Sequence, residues 1–214
     1  MIYDRIAISS GHGKYVRGAS GILDEVEEAR RVVREVAELL RHRGVEVHEF
    51  HDDESDSQDE NLNRIVNFHN SKSRDLDVSV HFNAFEQTSN PRGVEVLYLT
   101  QSELASKVSL AIADSGSFLN RGGKKRTDLY FLNNTDMPAI LLEVCFVDST
   151  ADTDLYDSHF QAICDAIAAS VSGLESDEES PPLPTSPVPI PRIDIEVSGE
   201  VLIFVNGQQI GTKG

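Results

Sequence analysis

The sequence is poor in basic residues and in cysteine, and it contains no tryptophan. Its 214 residues carry 36 Asp and Glu against 19 Lys and Arg, a formal net charge of −17. A nucleic-acid partner requires a basic face, so this balance argues against one. The two cysteines, Cys145 and Cys164, lie in apolar segments. We expect them to be reduced thiols in the core rather than a disulfide.

Long apolar runs are also missing. No segment approaches the roughly 18 apolar residues of a membrane-spanning helix, so no membrane insertion is expected. The first ten residues, MIYDRIAISS, lack the basic segment followed by an apolar segment that is typical of a secretion signal. They read as a first strand instead, and we expect the chain to be made in a cytoplasm without an export signal.

Residues 1–174 alternate strand and helix patterns, which predicts an α/β domain. The order of the patterns predicts a twisted, mostly parallel sheet covered by helices, with functional residues at the carboxyl ends of its strands. The predicted strands are Arg5–Ser9, Val45–Phe50, Asp77–Phe82, Gly93–Leu99 and Ala139–Val144, and the predicted helices are Asp24–Arg43, Glu60–Ser71, Glu103–Phe118 and Asp152–Leu174.

Three local signals support these bounds. Asp24 is the predicted amino-terminal cap of the first helix, and Gly44 is its predicted carboxyl-terminal stop. Residues 51–60 contain six acidic residues in ten, and we expect them to form a solvated loop that enters the next helix.

The composition changes sharply after this domain. Residues 175–191 are acidic and then proline-rich, which predicts a semi-rigid extended linker. Residues 192–214 recover a strand pattern at 193–197 and at Val201–Val205, followed by the hairpin signal Asn206-Gly207. So short a segment cannot bury a core alone. We expect a β-hairpin or meander that binds the cell wall, the main domain or a second copy of itself.

The stretch Ile8–Tyr15, ISSGHGKY, places a Gly-x-Gly-Lys loop at the end of the first strand. A phosphate-binding Walker loop requires four residues between its glycines and a Ser or Thr after its lysine. Here Gly11 and Gly13 are separated by one residue, and a tyrosine follows Lys14. The match to a nucleotide-binding loop is therefore weak.

A metal site is the alternative for this loop. His12 and His81 both stand at the ends of predicted strands, and Glu25 opens the first helix. Two imidazoles and one carboxylate, with water as the fourth ligand, form a common catalytic zinc site. In this interpretation Gly11 and Gly13 let the backbone turn sharply after the strand, so that the imidazole of His12 reaches the metal.

A further carboxylate, Glu143, interrupts the apolar strand Ala139–Val144. A charge in such a run is costly unless it is paired or has a function. One interpretation is a structural ion pair with an Arg or Lys. The other is a general acid and base beside a metal-activated water. The residues alone leave both open.

Several segments recur together in one order. They are Ser9–Gly13, Glu25, Asn61–Asn70, Ser79–Ala84, Asn120–Gly122, Asp128–Asn133 and Leu142–Asp148. In this combination residues 1–174 resemble the zinc-dependent N-acetylmuramoyl-L-alanine amidases of the amidase-3 type, most closely the catalytic domains of bacteriophage endolysins. The resemblance implies a mixed six-stranded sheet, one zinc ion held by His12, Glu25 and His81, and Glu143 as the catalytic carboxylate.

The resemblance also implies a substrate. The expected reaction is hydrolysis of the amide between N-acetylmuramic acid and L-alanine in bacterial peptidoglycan, by an endolysin that leaves the host cytoplasm through a holin-type route. Asn83 is expected to orient substrate or the loop of His81, and Arg121 and Lys124 to meet carboxylates of the stem peptide. The alternatives are a zinc peptidase acting within the stem peptide, a non-catalytic wall-binding module, and a nucleotide-binding domain.

Overall fold

The computed structural model describes residues 2–174, 201–205 and 208–213. Two compact units divide the chain, Met1–Ser176 and Asp177–Gly214. The larger contains, in chain order, β1 (Arg5–Ser10), α1 (Glu25–His42), β2 (Glu46–Phe50), α2 (Gln58–Asn70), β3 (Leu76–Asn83), β4 (Val94–Tyr98), α3 (Ser102–Gly116), β5 (Asn120–Lys125), α4 (Tyr130–Asn134), β6 (Ala139–Phe146) and α5 (Thr150–Ser172).

In the smaller unit, β7 (Val201–Val205) and β8 (Gln208–Lys213) form an antiparallel pair. The predicted linker, the predicted strand at 193–197 and the predicted turn residues Asn206-Gly207 lie outside the described residues. Self-association through this segment stays a prediction. None of the described helices combines the length and the apolar character needed to cross a bilayer.

The sheet of the larger unit has the strand order β2-β1-β3-β6-β4-β5. All neighbours are parallel except β4 and β6, which are antiparallel. The predicted mixed, mostly parallel sheet with flanking helices is thereby confirmed. The apolar pattern had not predicted β5 or α4. Strand β5 reads NRGGKK and has no apolar alternation, and α4 is a five-residue helix, shorter than any periodicity can reveal.

Two cores lie on opposite faces of this sheet. Helices α1, α3 and α5 cover one face, against inward residues such as Ile140 and Leu142 of β6. The short helix α4 and helix α2 cover the other face with a much smaller apolar cluster that includes Leu141. Because side chains alternate along a strand, Glu143 belongs to this second face. The thinner layer leaves space above the sheet at that point.

The caps predicted for α1 are confirmed. The side chain of Asp24 accepts hydrogen bonds from Val26 N–H and Glu27 N–H, at 3.0 and 3.2 Å. Gly44 follows the helix with a φ of +79°, a left-handed conformation that glycine adopts without strain. This start fixes Glu25 at the first helical position, where the partial positive charge of the helix terminus favours a carboxylate.

The acidic segment 51–60 is mostly exposed and leads into α2, as its composition predicted, but two of its residues turn inward. Asp52 and Ser55 are fully buried. The Asp52 carboxylate accepts a hydrogen bond from the Asn61 amide at 2.9 Å, and its carbonyl accepts one from Lys14 N–H at 2.8 Å. Burial alone would raise the pKa of Asp52, but hydrogen bonds from Asn61 and Ser55 hold it at about 2. The segment therefore ties the loop of His12 to α2.

A second buried carboxylate, that of Asp152, links the neighbouring strands β4 and β6. Asp152 is fully buried and accepts hydrogen bonds from the backbone N–H groups of Arg92, Gly93 and Phe146, at 3.0, 2.9 and 3.3 Å. The helix that carries it begins at Thr150, two residues earlier than predicted. Asp152 thus fixes the entry of β4 against the exit of β6.

We expect Asp152→Ala to destabilise the domain by on the order of 3 kcal/mol, because three backbone donors lose their acceptor inside the protein. Asp154→Ala, two residues along the same helix and exposed, is the matched control and should change stability by less than about 0.5 kcal/mol. Urea unfolding followed by circular dichroism measures both. Equal stabilities of the two variants would contradict this role of Asp152.

Candidate active site

The site is built around one row of residues that crosses three strands. His81 of β3 pairs in register with Glu143 of β6, which in turn pairs with Glu95 of β4. Residues in register on neighbouring strands project from the same face, so the three side chains are neighbours there. On its other side β3 is paired with β1. Gly11 follows β1 directly, and its N–H donates a hydrogen bond to the Val80 carbonyl at 2.9 Å.

His12, Glu25 and His81 meet at this edge. One ligand atom from each lies within 4.8 Å of the others. Glu25 Oε1 is 3.0 Å from His81 Nδ1 and 3.5 Å from His12 Nε2. The two rings stand edge to face with centroids 5.0 Å apart. Side-chain exposure is 24% for His12, 16% for His81 and 3% for Glu25, so the cluster opens outward on the histidine side.

Backbone donors hold Glu25 in place. Phe82 N–H donates to Oε1 at 3.1 Å, and Ala19 N–H donates to Oε2. Burial alone would raise the pKa of Glu25, but its interactions with His81 and His12 and these N–H groups leave it below the usual value. Glu25 is therefore a fixed, ionised carboxylate that could serve as a metal ligand. The nearby Glu27 contacts Arg17 instead.

The two imidazoles respond differently to the shared carboxylate. Burial alone would lower the pKa of His81, but its hydrogen bond with Glu25 raises it. The pKa of His12 is lowered, first by burial and then by the neighbouring His81. The shared carboxylate therefore favours the protonated form of His81 more than that of His12.

Glycines make room for this cluster. The chain bends at Gly11 and His12 directly after β1, as predicted, although neither Gly11 nor Gly13 has a positive φ. A Cβ on Gly11 would lie 1.8 Å from the His81 ring, and one on Gly18 would lie 2.2 Å from Glu25 Oε2. Any larger residue at either position would displace a member of the cluster.

Glu143 has no cationic partner among the described residues. It forms no ion pair there, and its buried Oε2 has no hydrogen-bond partner. Burial raises the pKa of Glu143 to about 7, with contributions of the same sign from Glu25 and Glu95 and opposing ones from His81 and Arg126. The structural ion pair that the sequence left open is not found in the part of the chain that the structure describes. What remains is a carboxyl group poised to exchange a proton near neutral pH.

A cleft of about 360 Å³ runs from these groups over the thinner face of the sheet. This volume suits a small segment of a ligand. Its polar end carries His12, His81 and Glu143, and its wall comes from α2 and from residues 126–131. The cleft is lined by Gly11, His12, Gln58, Asn61, Leu62, Ile65, Ser79, His81, Leu97, Arg126, Asp128, Leu129, Tyr130, Phe131, Leu141 and Glu143.

The three residues predicted to contact substrate do not line this cleft. Asn83 uses its side-chain carbonyl to accept from Ala84 N–H and points its amide at Glu95, at 3.4 Å. Arg121 donates to Glu95 at 2.7 Å. Lys124 is exposed on β5, the edge strand. Their roles stay predictions.

The sequence reasoning missed a buried polar chain beneath the cleft. His69 lies between Asp77 and Ser9, at 2.8 and 3.0 Å, and all three residues are fully buried. The arrangement has the order of a serine hydrolase triad, but no substrate can reach it. It braces α2 against β1 and β3. A signal was available, because His69 follows Ile65 on the apolar face of the helix.

A family model described as N-acetylmuramoyl-L-alanine amidase matches residues 6–172. The chain belongs to this amidase family. Its fold agrees with the catalytic domain of the CD27L endolysin targeting Clostridia Difficile, at 26% identity and a TM-score of 0.73, covering 80% of this chain and 98% of that one. The catalytic domain of the amidase CwlV from Bacillus (Paenibacillus) polymyxa shares the fold at 22% identity and a TM-score of 0.69, covering 79% and 97%.

Two curated relatives of this amidase are longer proteins. An uncharacterized 38.4 kDa protein of Clostridium perfringens is 33% identical over 157 residues, 71% of this chain and 46% of that protein. The probable cell wall amidase LytH of Staphylococcus epidermidis is 27% identical over 180 residues, 79% of this chain and 57% of that protein. The chain thus spans about half the length of the curated relatives it matches.

The raised pKa of Glu143 predicts a pH-dependent stability of the metal-free amidase. Between its ordinary value of 4.5 and about 7, the folded state binds this proton and the unfolded state has lost it. The free energy of unfolding therefore falls as pH rises, by on the order of 3 kcal/mol in total. Glu143→Gln should abolish this loss.

Urea unfolding of chelator-treated protein at pH 5 and pH 8 measures the effect. The stability of wild type relative to Glu143→Gln should be lower at pH 8 than at pH 5. Glu103→Gln, an exposed carboxylate on α3, should keep the wild-type dependence. Parallel pH dependences of wild type and Glu143→Gln would show that Glu143 titrates normally.

Proposed function

We propose that this chain is a zinc-dependent amidase that hydrolyses the bond between N-acetylmuramic acid and L-alanine in peptidoglycan. One observation carries the proposal. His12, Glu25 and His81 meet beside the unpaired Glu143 at the polar end of a cleft, in a chain of this amidase family. Bacterial peptidoglycan is accordingly the proposed partner.

The residues present fit a zinc ion. Two imidazole nitrogens and one carboxylate oxygen are preferred zinc ligands, and three protein ligands leave a coordination position open, as catalytic sites require. The N–H groups of Phe82 and Ala19 orient Glu25, which is the role that outer hydrogen bonds play around bound metals. When bound, the ion supplies a Lewis acid that polarises water and the amide carbonyl.

Glu143 supplies the proton transfers. Its carboxylate accepts the proton of the attacking water and returns it to the nitrogen of the departing alanine. A pKa near the working pH makes both transfers efficient, and burial together with Glu25 and Glu95 sets that pKa at about 7. Since Glu143 has no fixed cationic partner, its carboxyl group is free to face the scissile bond.

The Gly-Lys loop supports this function over nucleotide binding. Lys14 N–H is already bonded to the Asp52 carbonyl at 2.8 Å, and its ammonium lies over the Tyr15 ring, 5.4 Å from the centroid. A phosphate cradle needs free N–H groups in such a loop.

An endolysin role is part of the proposal. It is supported by the likeness to the CD27L catalytic domain, nearly all of which this chain covers. Synthesis in the host cytoplasm and release by a holin-type route stay predictions. Soluble products tell an amidase from a stem-peptide peptidase, because an amidase frees the amine of L-alanine and leaves the glycan intact.

We expect Glu143→Gln to lower the rate of peptidoglycan hydrolysis by about 10²–10⁴-fold, since a neutral amide cannot shuttle the proton. The variant should keep its zinc. Mass spectrometry of digested muropeptides measures the rate and the bond cut, and metal analysis measures the zinc. Glu103→Gln is the control. Normal clearing of cell walls by Glu143→Gln would rule out this mechanism.

Gly11→Ala should weaken zinc binding although it changes no ligand, because the added methyl group occupies the space of the His81 ring. His12→Ala removes a ligand and should lose zinc altogether. Gly13→Ala, where the nearest atom is 3.0 Å from the new Cβ, is the milder control. Competition with a zinc-sensitive dye gives the affinities. Wild-type affinity in Gly11→Ala would show that His81 is not a ligand.

A further inference from the structure

Arg126 places a permanent positive charge in the cleft. Among the cleft-lining residues that the structure describes, Arg126 is the one arginine or lysine, and Glu143 and Asp128 are the acidic residues. The protein is strongly acidic overall. Within the described lining, a negatively charged ligand group therefore meets this guanidinium as its partner of fixed positive charge.

Hydrogen bonds hold both the backbone and the side chain of Arg126. Its backbone N–H donates to the Tyr98 carbonyl at 2.8 Å, immediately after β5. Its Nε and Nη2 donate to the two carboxylate oxygens of Asp128, at 2.8 and 2.7 Å. Its Nη1 makes no hydrogen bond with any described residue, and 43% of the side chain is exposed. The orientation of the guanidinium is therefore fixed, while its Nη1 remains available to a ligand.

A guanidinium can bind carboxylates along two edges. Asp128 occupies the edge formed by Nε and Nη2, which leaves the edge formed by Nη1 and Nη2 for a ligand. Because Asp128 has already fixed the rotamer of Arg126, a ligand does not have to order that side chain when it binds. The geometry thus prepares a planar, two-point site for a second carboxylate.

The neighbouring cations do not compete for this role. Arg121 donates to Glu95 and lies over the Phe146 ring, 5.2 Å from its centroid. Lys124 and Lys125 are exposed on the edge strand. None of these three residues lines the cleft. Of the basic residues that follow α3, the structure selects Arg126.

We propose that Arg126 binds the first free carboxylate of the stem peptide beyond the scissile amide, the α-carboxylate of its second residue. The enzyme then prefers peptidoglycan in which this group is an acid over peptidoglycan in which it is amidated. This inference rests on the proposed amidase function. A carboxamide presents an NH₂ group to the guanidinium, so one donor loses its partner and the charge attraction disappears.

The test uses two soluble N-acetylmuramoyl peptides that differ only in acid or amide at this carboxyl group. The zinc-loaded full chain is assayed for kcat/KM on each. Wild type should favour the acid by about 10–100-fold, the range of a charge-assisted two-point contact. In Arg126→Gln the ratio should fall to near one, mostly through a higher KM for the acid. Both substrates are measured on one preparation, so a misfolded fraction cancels from the ratio.

Two variants remove the same charge elsewhere. Arg121→Gln tests the neighbouring cation, and Arg41→Gln tests an exposed arginine of α1 that pairs with Glu49. Both should keep the wild-type ratio. A wild-type ratio near one, an unchanged ratio in Arg126→Gln, or a loss of preference in Arg121→Gln would overturn the inference while the amidase function stands. Failure of wild type to cut either peptide at the muramoyl amide would overturn both.

Discussion

The buried carboxylate of Glu25 is the group on which the rest of the site depends. It contacts both imidazoles of the cluster and accepts hydrogen bonds from the backbone N–H groups of Phe82 and Ala19. Three separate parts of the chain therefore converge on one side chain: the start of α1, the end of β3 and the loop after β1. Without its negative charge, His12 and His81 would face each other with nothing to balance a cation between them.

The site residues that lie on strands or at the start of a helix could be predicted from the sequence. His81 and Glu143 lie at the carboxyl ends of strands with strong apolar patterns, so pattern and topology together place them side by side. Glu25 follows a cap signal that fixes where its helix begins. These positions depend on local sequence and on the general rules of parallel sheets, and the structure agrees with both.

Other parts of the fold and of the site could not be predicted from the sequence, because contacts with residues distant in the chain determine their structure. Strand β5 has no apolar side chain that would predict a strand, and its strand structure depends on pairing with β4. Asp52 looks like one of many loop acids, yet hydrogen bonds from distant residues bury it. The bend at Gly11 is predictable from the sequence, whereas the space that Gly11 leaves for the His81 ring from β3 is not. Sequence shows that a Cβ is missing but not what fills its place.

The unequal layers on the two faces of the sheet separate the tasks of the molecule. The thick layer of α1, α3 and α5 carries most of the buried apolar surface. The thin layer of α2 and α4 carries the cleft wall, including the loop of Arg126. Substitutions in that wall touch little of the larger core. Substitutions in the cleft wall can therefore alter the shape and charge of what the cleft admits, while the larger core keeps His12, Glu25 and His81 in position.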